Sequence, residues 1–318
     1  MRKSMMILMI ALLAFTLGAC SNSEEDKQKD DKTTSQSEEA TITIEHELGE
    51  TEVSKNPKNV VVFDFGILDT LDKLGIEVAG VAQSGVIPSY LDKYTSDDYA
   101  NIGSLKEPDF DKISEIDPDV ILISARQTEV YEELSKIAPT IYLGVDTTRY
   151  MESFKENMQV VGEIFDKEDE INNEIAAIEE KIQSVAEKAK ALEEKALIIL
   201  SNDDKVSAYG PNSRFGLIHD VFGVQPVDED IEASTHGMNI SFEYIVEKDP
   251  ELLYVVDRSA VVDGESSAKQ VVENKLVKKT KAYKNDRIVY LDPEIWYLSG
   301  GGLVSVEKMV SEIESSIK

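Results

Sequence analysis

The stretch from Asp166 to Ala196 constrains the fold more than any other part of the chain. Apolar residues recur there at alternating steps of four and three, and the intervening positions are mostly Glu, Lys, Gln and Asn. The apolar set is Ile171, Ile175, Ile178, Ile182, Val185, Ala189 and Leu192. This spacing, with no Pro or Gly inside, predicts one long amphipathic helix. At 1.5 Å per residue the helix would be roughly 40 Å long.

The same spacing is also a heptad pattern, so a coiled-coil seam is an alternative. The pattern is short, however, and it lies inside a chain whose other segments alternate strand and helix signals. We therefore predict a helix that bridges two lobes of the same chain.

Strand and helix patterns alternate on both sides of this helix. Continuous apolar runs at 60–63, 120–123, 196–200 and 252–256 are typical of strands buried on both faces. The fold class is therefore α/β, with mainly parallel sheets in two Rossmann-like lobes and a ligand cleft between them. We predict an N-terminal lobe over 41–165, the bridging helix over 166–196 and a C-terminal lobe over 197–318.

The two predicted lobes contain an internal repeat. Ile113–Arg126 matches Ile245–Arg258 in its Ile, Glu, Asp-Pro, apolar run and final Arg, and Phe110-Asp111 matches Phe242-Glu243 at the same offset. The repeat predicts a helix, an Asp-Pro turn, a buried strand and an arginine just past the strand's carboxyl end.

The N-terminus resembles a lipoprotein signal. Arg2 and Lys3 precede an apolar run, Met5–Leu17, which is too short for a permanent membrane span, and Leu-Gly-Ala-Cys follows, ending at Cys20. We predict a signal peptide over 1–19, lipidation of Cys20 and a flexible polar tether over 20–40. An ordinary signal peptide with a chance cysteine is the alternative. Cys20 is the single cysteine, which excludes an intrachain disulfide.

The charge of the chain restricts its partners. A formal net charge of −29 argues against nucleic acid and against an anionic membrane surface as partners, because both require a positive face. Against this background three of the few arginines are notable. Arg126 and Arg258 follow matched strands, where open α/β sheets bind ligands, and Arg214 opens a predicted helix. We predict an anion site formed by these three, the alternative being simple pairing with nearby acids.

Aromatic and polar residues accompany the predicted cleft. Trp296 follows the strand pattern at 288–291, Tyr209 ends another strand, and His236 lies in a loop. We predict that these three side chains line the ligand site, although the aromatic residues would equally suit packing in the core or at the rim.

Catalytic and metal motifs are absent from the sequence. There is no Gly-x-Ser-x-Gly and no His-Glu-x-x-His, and the three histidines are scattered. His219 falls within a helical pattern that suits packing. We expect no enzyme activity, no protein-held metal and no resident cofactor.

The whole chain resembles the class III substrate-binding lipoproteins of ABC-type iron–siderophore importers. The resemblance rests on the lipobox, on Asn56-Pro57-Lys58 with the following valines, on the duplicated Asp-Pro units and on the single bridging helix. Within that family the chain is most similar to the Bacillus petrobactin-binding proteins, through Ile137–Asp146, Arg214–Gly223 and Trp296–Gly302. The resemblance implies capture of an anionic ferric siderophore of the petrobactin type, with the iron held by the siderophore and the family's arginine triad at Arg126, Arg214 and Arg258.

The resemblance also implies partners and a location. Family members present one acidic residue per lobe to the permease, and the matching candidates are Glu107 or Asp111 in the first lobe and Glu243 in the second. We expect a monomer, lipid-anchored on the extracellular face of a Gram-positive cell membrane, that serves permease subunits with a cytoplasmic ATPase. A haem or cobalamin binder of the same fold and a tethered surface enzyme are the alternatives.

Overall fold

The computed structural model describes residues 40–317 except 263, 265 and 266. The predicted signal peptide, Cys20 and nearly all of the predicted tether lie outside the described residues. Within the described part of the chain, no helix combines the length and apolar character needed to span a membrane.

A hairpin precedes the first lobe. Its strands, β1 (Thr41–His46) and β2 (Gly49–Ser54), pair antiparallel. The lobe itself is built on a five-stranded parallel sheet in the order β5-β4-β3-β6-β7. These strands are β3 (Val60–Val62), β4 (Gly80–Val81), β5 (Ala100–Asn101), β6 (Val120–Ile123) and β7 (Thr140–Tyr142). The α-helices are α1 (Phe65–Lys73), α2 (Phe110–Ile116), α3 (Tyr131–Leu134) and α4 (Tyr150–Phe165), with 3₁₀ turns at Ser89–Thr95, Ala125–Val130 and Thr147–Arg149.

The predicted long helix is α5, Glu168–Ala191, which is shorter than the predicted span of 166–196. Asp166 adopts a left-handed conformation with φ 52° and ends α4, so α5 begins after it. At the other end Leu192 is extended. The residues buried along α5 are Ile171, Ile175, Ile178, Val185 and Ala189. This face packs against α4 and the C-terminal helix of the same chain, which favours the bridging interpretation over a coiled-coil seam.

The second lobe has a mixed sheet in the order β11-β9-β8-β12-β13, with β10 on β8. Its strands are β8 (Lys195–Asn202), β9 (Lys205–Tyr209), β10 (Gln225–Pro226), β11 (Met238–Ile240), β12 (Leu252–Asp257) and β13 (Ile288–Leu291). The prediction of a mainly parallel sheet holds for β8, β12 and β13, but β9 pairs antiparallel with both β8 and β11. Only two residues separate β8 from β9, and Asp203 turns the chain with φ 54°; a connection so short permits only antiparallel pairing.

The helices of the second lobe are mostly short. They are α6 (Leu217–Asp220), α7 (Phe242–Lys248), α8 (Arg258–Val262), α9 (Ala268–Val272), α10 (Lys281–Lys284) and α11 (Leu303–Ser316), with a 3₁₀ turn at Val277–Lys279 and a turn of π-helix at Glu294–Leu298.

The internal repeat has the same structure in both lobes. Helix α2 leads to β6 and helix α7 leads to β12, as the sequence predicts. Each helix ends at an Asp in the left-handed conformation, Asp117 with φ 53° and Asp249 with φ 43°. The repeat therefore brings Arg126 and Arg258 to equivalent ends of two central strands.

The two lobes share an apolar core in addition to α5. Alternate residues of the central strands, such as Val60 in β3 and Tyr254 in β12, join one cluster with α4, α5 and α11. The opposite faces of the two sheets enter separate cores, represented by Val61 in the first lobe and Val255 in the second. The long helix is thus one member of a helical layer common to both sheets.

Candidate functional site

Three segments carry the predicted arginines to one place. Arg126 lies in the 3₁₀ turn after β6, where buried Gln127 fixes the turn by accepting a hydrogen bond from the Ser124 amide at 3.1 Å. Arg258 is the first residue of α8, directly after β12. Arg214 lies in the turn that precedes α6. All three side chains are partly buried.

All three guanidinium groups donate hydrogen bonds to a single residue, Tyr297. Arg126 Nη2 and Arg214 Nη2 donate to its main-chain carbonyl, at 2.7 and 2.8 Å. Arg258 Nε donates to its phenolic oxygen at 2.9 Å. The arginine of the first lobe and those of the second therefore meet at one tyrosine, as the positional argument predicts.

The Tyr297 ring and the Asn202 side-chain amide make additional contacts with two of the arginines. The Arg214 guanidinium carbon lies 4.2 Å from the centre of the Tyr297 ring, and that of Arg258 lies 5.8 Å away. Arg258 Nη1 also donates to Asn202 Oδ1 at 2.6 Å. Asn202 is the last residue of β8, the strand beside β12.

The site concentrates positive charge. Among the described residues, no carboxylate oxygen lies within 4.0 Å of a nitrogen of Arg126, Arg214 or Arg258. Burial, and then the nearby charge of Arg126, lower the pKa of Arg214. Burial would raise the pKa of the Tyr297 phenol, but the hydrogen bond from Arg258 and the three positive charges lower it overall. In a chain of net charge −29 such a cluster is suited to an anion.

Trp296 does not lie at this site, and its predicted role is corrected. The indole is 2% exposed and belongs to the core shared by the lobes. Its Nε1 donates to Glu312 Oε2 on α11 at 2.5 Å. The π-helical turn directs Trp296 inward and its neighbour Tyr297 toward the arginines.

Tyr209 and His236, both predicted to line the ligand site, differ in exposure. Tyr209 is 1% exposed and packs edge-on against Phe215, which follows Arg214 in the chain, and burial raises the pKa of Tyr209 to about 12. His236 is exposed, and the next residue, Gly237, lies so close to the Tyr209 ring that a Cβ there would collide with it. Tyr209 is therefore too buried to line the ligand site, and its predicted role is corrected to packing beside the segment that carries Arg214, whereas His236 is open to solvent.

The candidate docking acids are exposed on both lobes. Asp111 and Glu243 are the second residues of the equivalent helices α2 and α7, after the N-caps Asp109 and Ser241. Glu107 lies in the turn just before α2. Exposure at matched positions is compatible with the predicted role of Asp111 and Glu243.

Tyr297 follows the strand pattern at 288–291 together with Trp296, but the predicted set of ligand residues includes neither Tyr297 nor Asn202. The signal for Asn202 was available, because it ends a strand next to the strand that Arg258 follows. Nothing in the sequence periodicity distinguishes Tyr297 from Trp296, because a π-helical turn has neither the helical nor the strand repeat.

Among the described residues, no metal-binding cluster and no cavity indicates a ligand site more clearly than the three arginines do. Within residues 40–317, apart from the three undescribed positions, no group of three His, Cys, Asp or Glu residues is placed to hold a metal ion. His219 Nδ1 bonds the Val224 carbonyl at 2.7 Å, and burial lowers the pKa of His219, as suits packing. A cavity of about 640 Å³ lies against β13 and α11, and none of Arg126, Arg214 and Arg258 lines it. We assign the site to the arginines because charge converges there.

The fold and the arginine cluster define a two-lobed binding protein. The sequence profile of the periplasmic binding protein family matches residues 60–295, and the chain belongs to that family.

Characterised relatives span nearly the whole chain. The petrobactin-binding protein YclQ of Bacillus subtilis is 51% identical over 321 residues, covering 99% of each chain. The ferric-anguibactin-binding protein FatB of Vibrio anguillarum is 33% identical over 285 residues, covering 86% of this chain and 87% of FatB. The crystal structure of YclQ superposes with a TM-score of 0.86 at 55% identity, covering 88% of this chain and 99% of the crystallised one.

Proposed function

We propose that the protein captures an anionic ferric siderophore of the petrobactin-like catecholate and citrate type and delivers it to an ABC importer. The observation that carries this proposal is the convergence of three arginines that have no carboxylate within salt-bridge distance among the described residues. Two of these arginines follow equivalent strand ends, one in each lobe. The names of YclQ and FatB, both ferric-siderophore or siderophore binders, support the choice of ligand class.

Charge complementarity explains how such a site would work. A ferric ion wrapped by catecholates or a hydroxycarboxylate is strongly anionic, and guanidinium groups in a partly dry site offset that charge. The siderophore supplies every iron ligand, so the protein needs no metal-binding side chains of its own. Arg126 and Arg214 each commit one Nη atom to Tyr297, which leaves their other N–H groups for ligand oxygens. The role is binding and transfer, without catalysis.

Delivery of the siderophore to the permease would depend on negative charge on the protein surface. Exposed Asp111 and Glu243 would each meet a basic pocket on one of two permease subunits, which a cytoplasmic ATPase drives. Lipidation of Cys20 would keep a monomeric protein on the extracellular face of the cell membrane, within reach of that permease. The Bacillus relatives support this location, among them one named as an ABC transporter substrate-binding lipoprotein.

A titration of intrinsic fluorescence tests the ligand class. We expect strong quenching by a ferric catecholate–citrate siderophore, and weak or no quenching by a neutral ferric hydroxamate, haem or cobalamin. Tight haem or cobalamin binding would overturn the proposal in favour of another ligand on the same fold. Chemical conversion of a bound iron complex would instead indicate an enzyme.

A further inference from the structure

One surface of the second lobe is basic in an otherwise acidic chain. Residues 275–284 contain five lysines and no acidic residue, whereas the whole chain has 62 acidic residues and 33 lysines and arginines. We call these five exposed lysines the lysine patch; they are Lys275, Lys278, Lys279, Lys281 and Lys284. The argument against an anionic membrane surface rests on the net charge of the chain, and that net charge does not describe this surface.

The lysine patch lies on a fixed backbone. Val277 and Ala282 are buried in the core of the second lobe. Thr280 caps α10 by accepting a hydrogen bond from the Tyr283 amide at 3.3 Å. The Ala282 amide donates to the Pro250 carbonyl at 3.0 Å. Because the apolar positions of this segment face the core, its lysines face solvent together.

Few acidic side chains neutralise the lysine patch. Among the described residues, Lys281 alone of the five has a carboxylate oxygen within 4.0 Å, that of Glu251 at 2.6 Å. Lys278 Nζ lies 5.5 Å from the centre of the Tyr283 ring, which does not reduce its charge. Four lysines therefore present positive charge without an adjacent carboxylate.

The lysine patch lies at the opposite end of the second sheet from the arginines. The Lys281 amide donates to Asp249 Oδ1 at 2.8 Å, just before β12 begins. The Glu251 amide donates to the carbonyl of Lys195, the first residue of β8, at 3.0 Å. Arg258, by contrast, directly follows the last residue of β12. A six-residue strand is about 20 Å long, so a partner on the patch leaves the ligand site open.

The described chain begins close to the start of α5, and the patch lies near its end. The Ala40 carbonyl accepts a hydrogen bond from the Lys55 amide at 2.8 Å, and Lys55 Nζ lies 2.9 Å from Asp166 Oδ1, just before α5. At its other end α5 leads into β8, beside the patch. The 24 residues of α5 span about 36 Å. The chain from Cys20 to Ala40 reaches at most about 70 Å. A lipid on Cys20 and the lysine patch can therefore meet the same bilayer.

We propose that the lysine patch docks the second lobe on a bilayer that contains anionic phospholipid, beside the lipid anchor proposed at Cys20. The lysine ammonium groups meet the phosphates of the headgroups. At physiological salt the interaction of exposed charges is largely screened beyond about 8 Å, so the bilayer senses these lysines more than the acidic residues of the first lobe. A contact made by a few screened charges is reversible, so the protein can still turn toward the permease.

Acylation of individual lysines tests this docking. A chain of residues 20–318 contains all of the described fold, and its single cysteine, Cys20, couples it to a maleimide lipid in vesicles. The vesicles consist of phosphatidylcholine, or of phosphatidylcholine with a third replaced by phosphatidylglycerol, so only the surface charge differs. An amine-reactive ester is added, and the modification of each lysine is followed by mass spectrometry.

The expected result is protection of the patch on anionic vesicles. Acylation of Lys278, Lys279 and Lys284 should slow at least about threefold there, and about 0.5 M NaCl should remove the protection. Exposed Lys112, beside the proposed docking acid Asp111, is the control and should react equally on both kinds of vesicle. Equal rates for the patch on both vesicles, or slowing of Lys112 as large as that of the patch, would overturn the proposal.

A pair of charge variants tests whether the lysines act as one surface. Lys278→Gln with Lys279→Gln should remove the protection of Lys284. The matched pair Lys112→Gln with Lys205→Gln, both exposed near the cleft, should retain it; melting curves verify folding. Protection of Lys284 that survives the patch variant would overturn the proposal. Protection by a soluble polyol-phosphate polymer, with none on anionic vesicles, would assign the patch to a polymer and equally overturn it. No siderophore is present, so the result is independent of the proposed function.

Discussion

At the scale of single residues, neighbours in sequence have separate tasks. Trp296 and Tyr297 are adjacent aromatic residues after the same strand, yet the first packs in the core and the second meets the arginines. The Trp296 indole N–H donates a hydrogen bond to Glu312. Burial raises the pKa of Glu312, and this hydrogen bond offsets part of the rise. Trp296 is therefore expected to contribute to stability and Tyr297 to binding.

The first prediction separates these tasks. Trp296→Phe should lower the free energy of unfolding by about 2 kcal/mol, because it leaves a small cavity and leaves the partly buried Glu312 carboxyl group with only its hydrogen bond from the Asp292 amide. Affinity for the ferric siderophore should change less than about twofold. Chemical denaturation and a fluorescence titration measure the two quantities. A tenfold loss of affinity at unchanged stability would instead indicate that Trp296 contributes to the ligand site.

At the scale of elements, a helix of the first lobe caps the last helix of the chain. Asp69 in α1 is fully buried and accepts hydrogen bonds from the Val304 and Ser305 amides at the start of α11, both at 3.0 Å. Thr70 Oγ1 accepts from the Leu303 amide at 3.0 Å. A Cβ on Gly66 of α1 would collide with the Gly300 carbonyl, so the backbones approach closely there. The first lobe therefore satisfies the free amides of α11.

The second prediction concerns this cap. Asp69→Asn keeps one acceptor but turns an amide group toward N–H donors, so it should destabilise the protein by about 1–3 kcal/mol near pH 4. Denaturant unfolding measures this loss. A matched control is Asp72→Asn on the same helix, whose carboxylate is partly exposed and pairs with Lys93; it should change stability by less than about 1 kcal/mol.

The third prediction is the pH dependence of the same cap. Burial outweighs the hydrogen bonds from Ser305, Val304 and Tyr90 and raises the pKa of Asp69 to about 7. Between pH 4 and 7 the folded protein then holds a proton that the unfolded chain releases. The stability that Asp69 contributes is therefore complete below its unfolded pKa and is lost as the pH rises through about 7. Relative to Asp69→Asn, stability should fall by about 4 kcal/mol over this range. Parallel stability curves for the two proteins would contradict the raised pKa.

The sequence predicted elements where a physical pattern exists. The stripe on α5 follows the helical repeat, and the match of Ile113–Arg126 with Ile245–Arg258 correctly placed two arginines at equivalent strand ends. The end of α5 was misplaced because an apolar residue, Leu192, continues the stripe after the backbone has become extended. The cap by Asp69 joins residues more than 230 positions apart, and no local pattern encodes such a contact.

At the scale of the whole molecule, the two lobes are held by α5, by a shared core and by the cap at α11. This arrangement favours a small closure over a wide hinge motion. Asp111 and Glu243, which we propose as docking acids, lie at matched positions of the two lobes, so a limited closure would preserve most of their separation.

The fourth prediction concerns delivery. Glu243→Gln should leave siderophore affinity unchanged and reduce uptake of the ferric complex by cells several-fold, because one lobe loses its charge contact with the permease. Glu247→Gln, an exposed position at the far end of α7, serves as the control and should not affect uptake. Normal uptake with Glu243→Gln would exclude this residue from docking.

We expect Arg126, Arg214 and Arg258 to enable a chain of net charge −29 to bind an anion. The most direct measurement is the affinity of Arg126→Gln and Arg258→Gln for a ferric catecholate–citrate siderophore. Arg149→Gln is the control, since exposed Arg149 already pairs with Glu156. We expect each site variant to lose at least about tenfold in affinity, the scale of one charged hydrogen bond, while the control binds normally. Unchanged affinity in both site variants would exclude Arg126 and Arg258 from ligand binding.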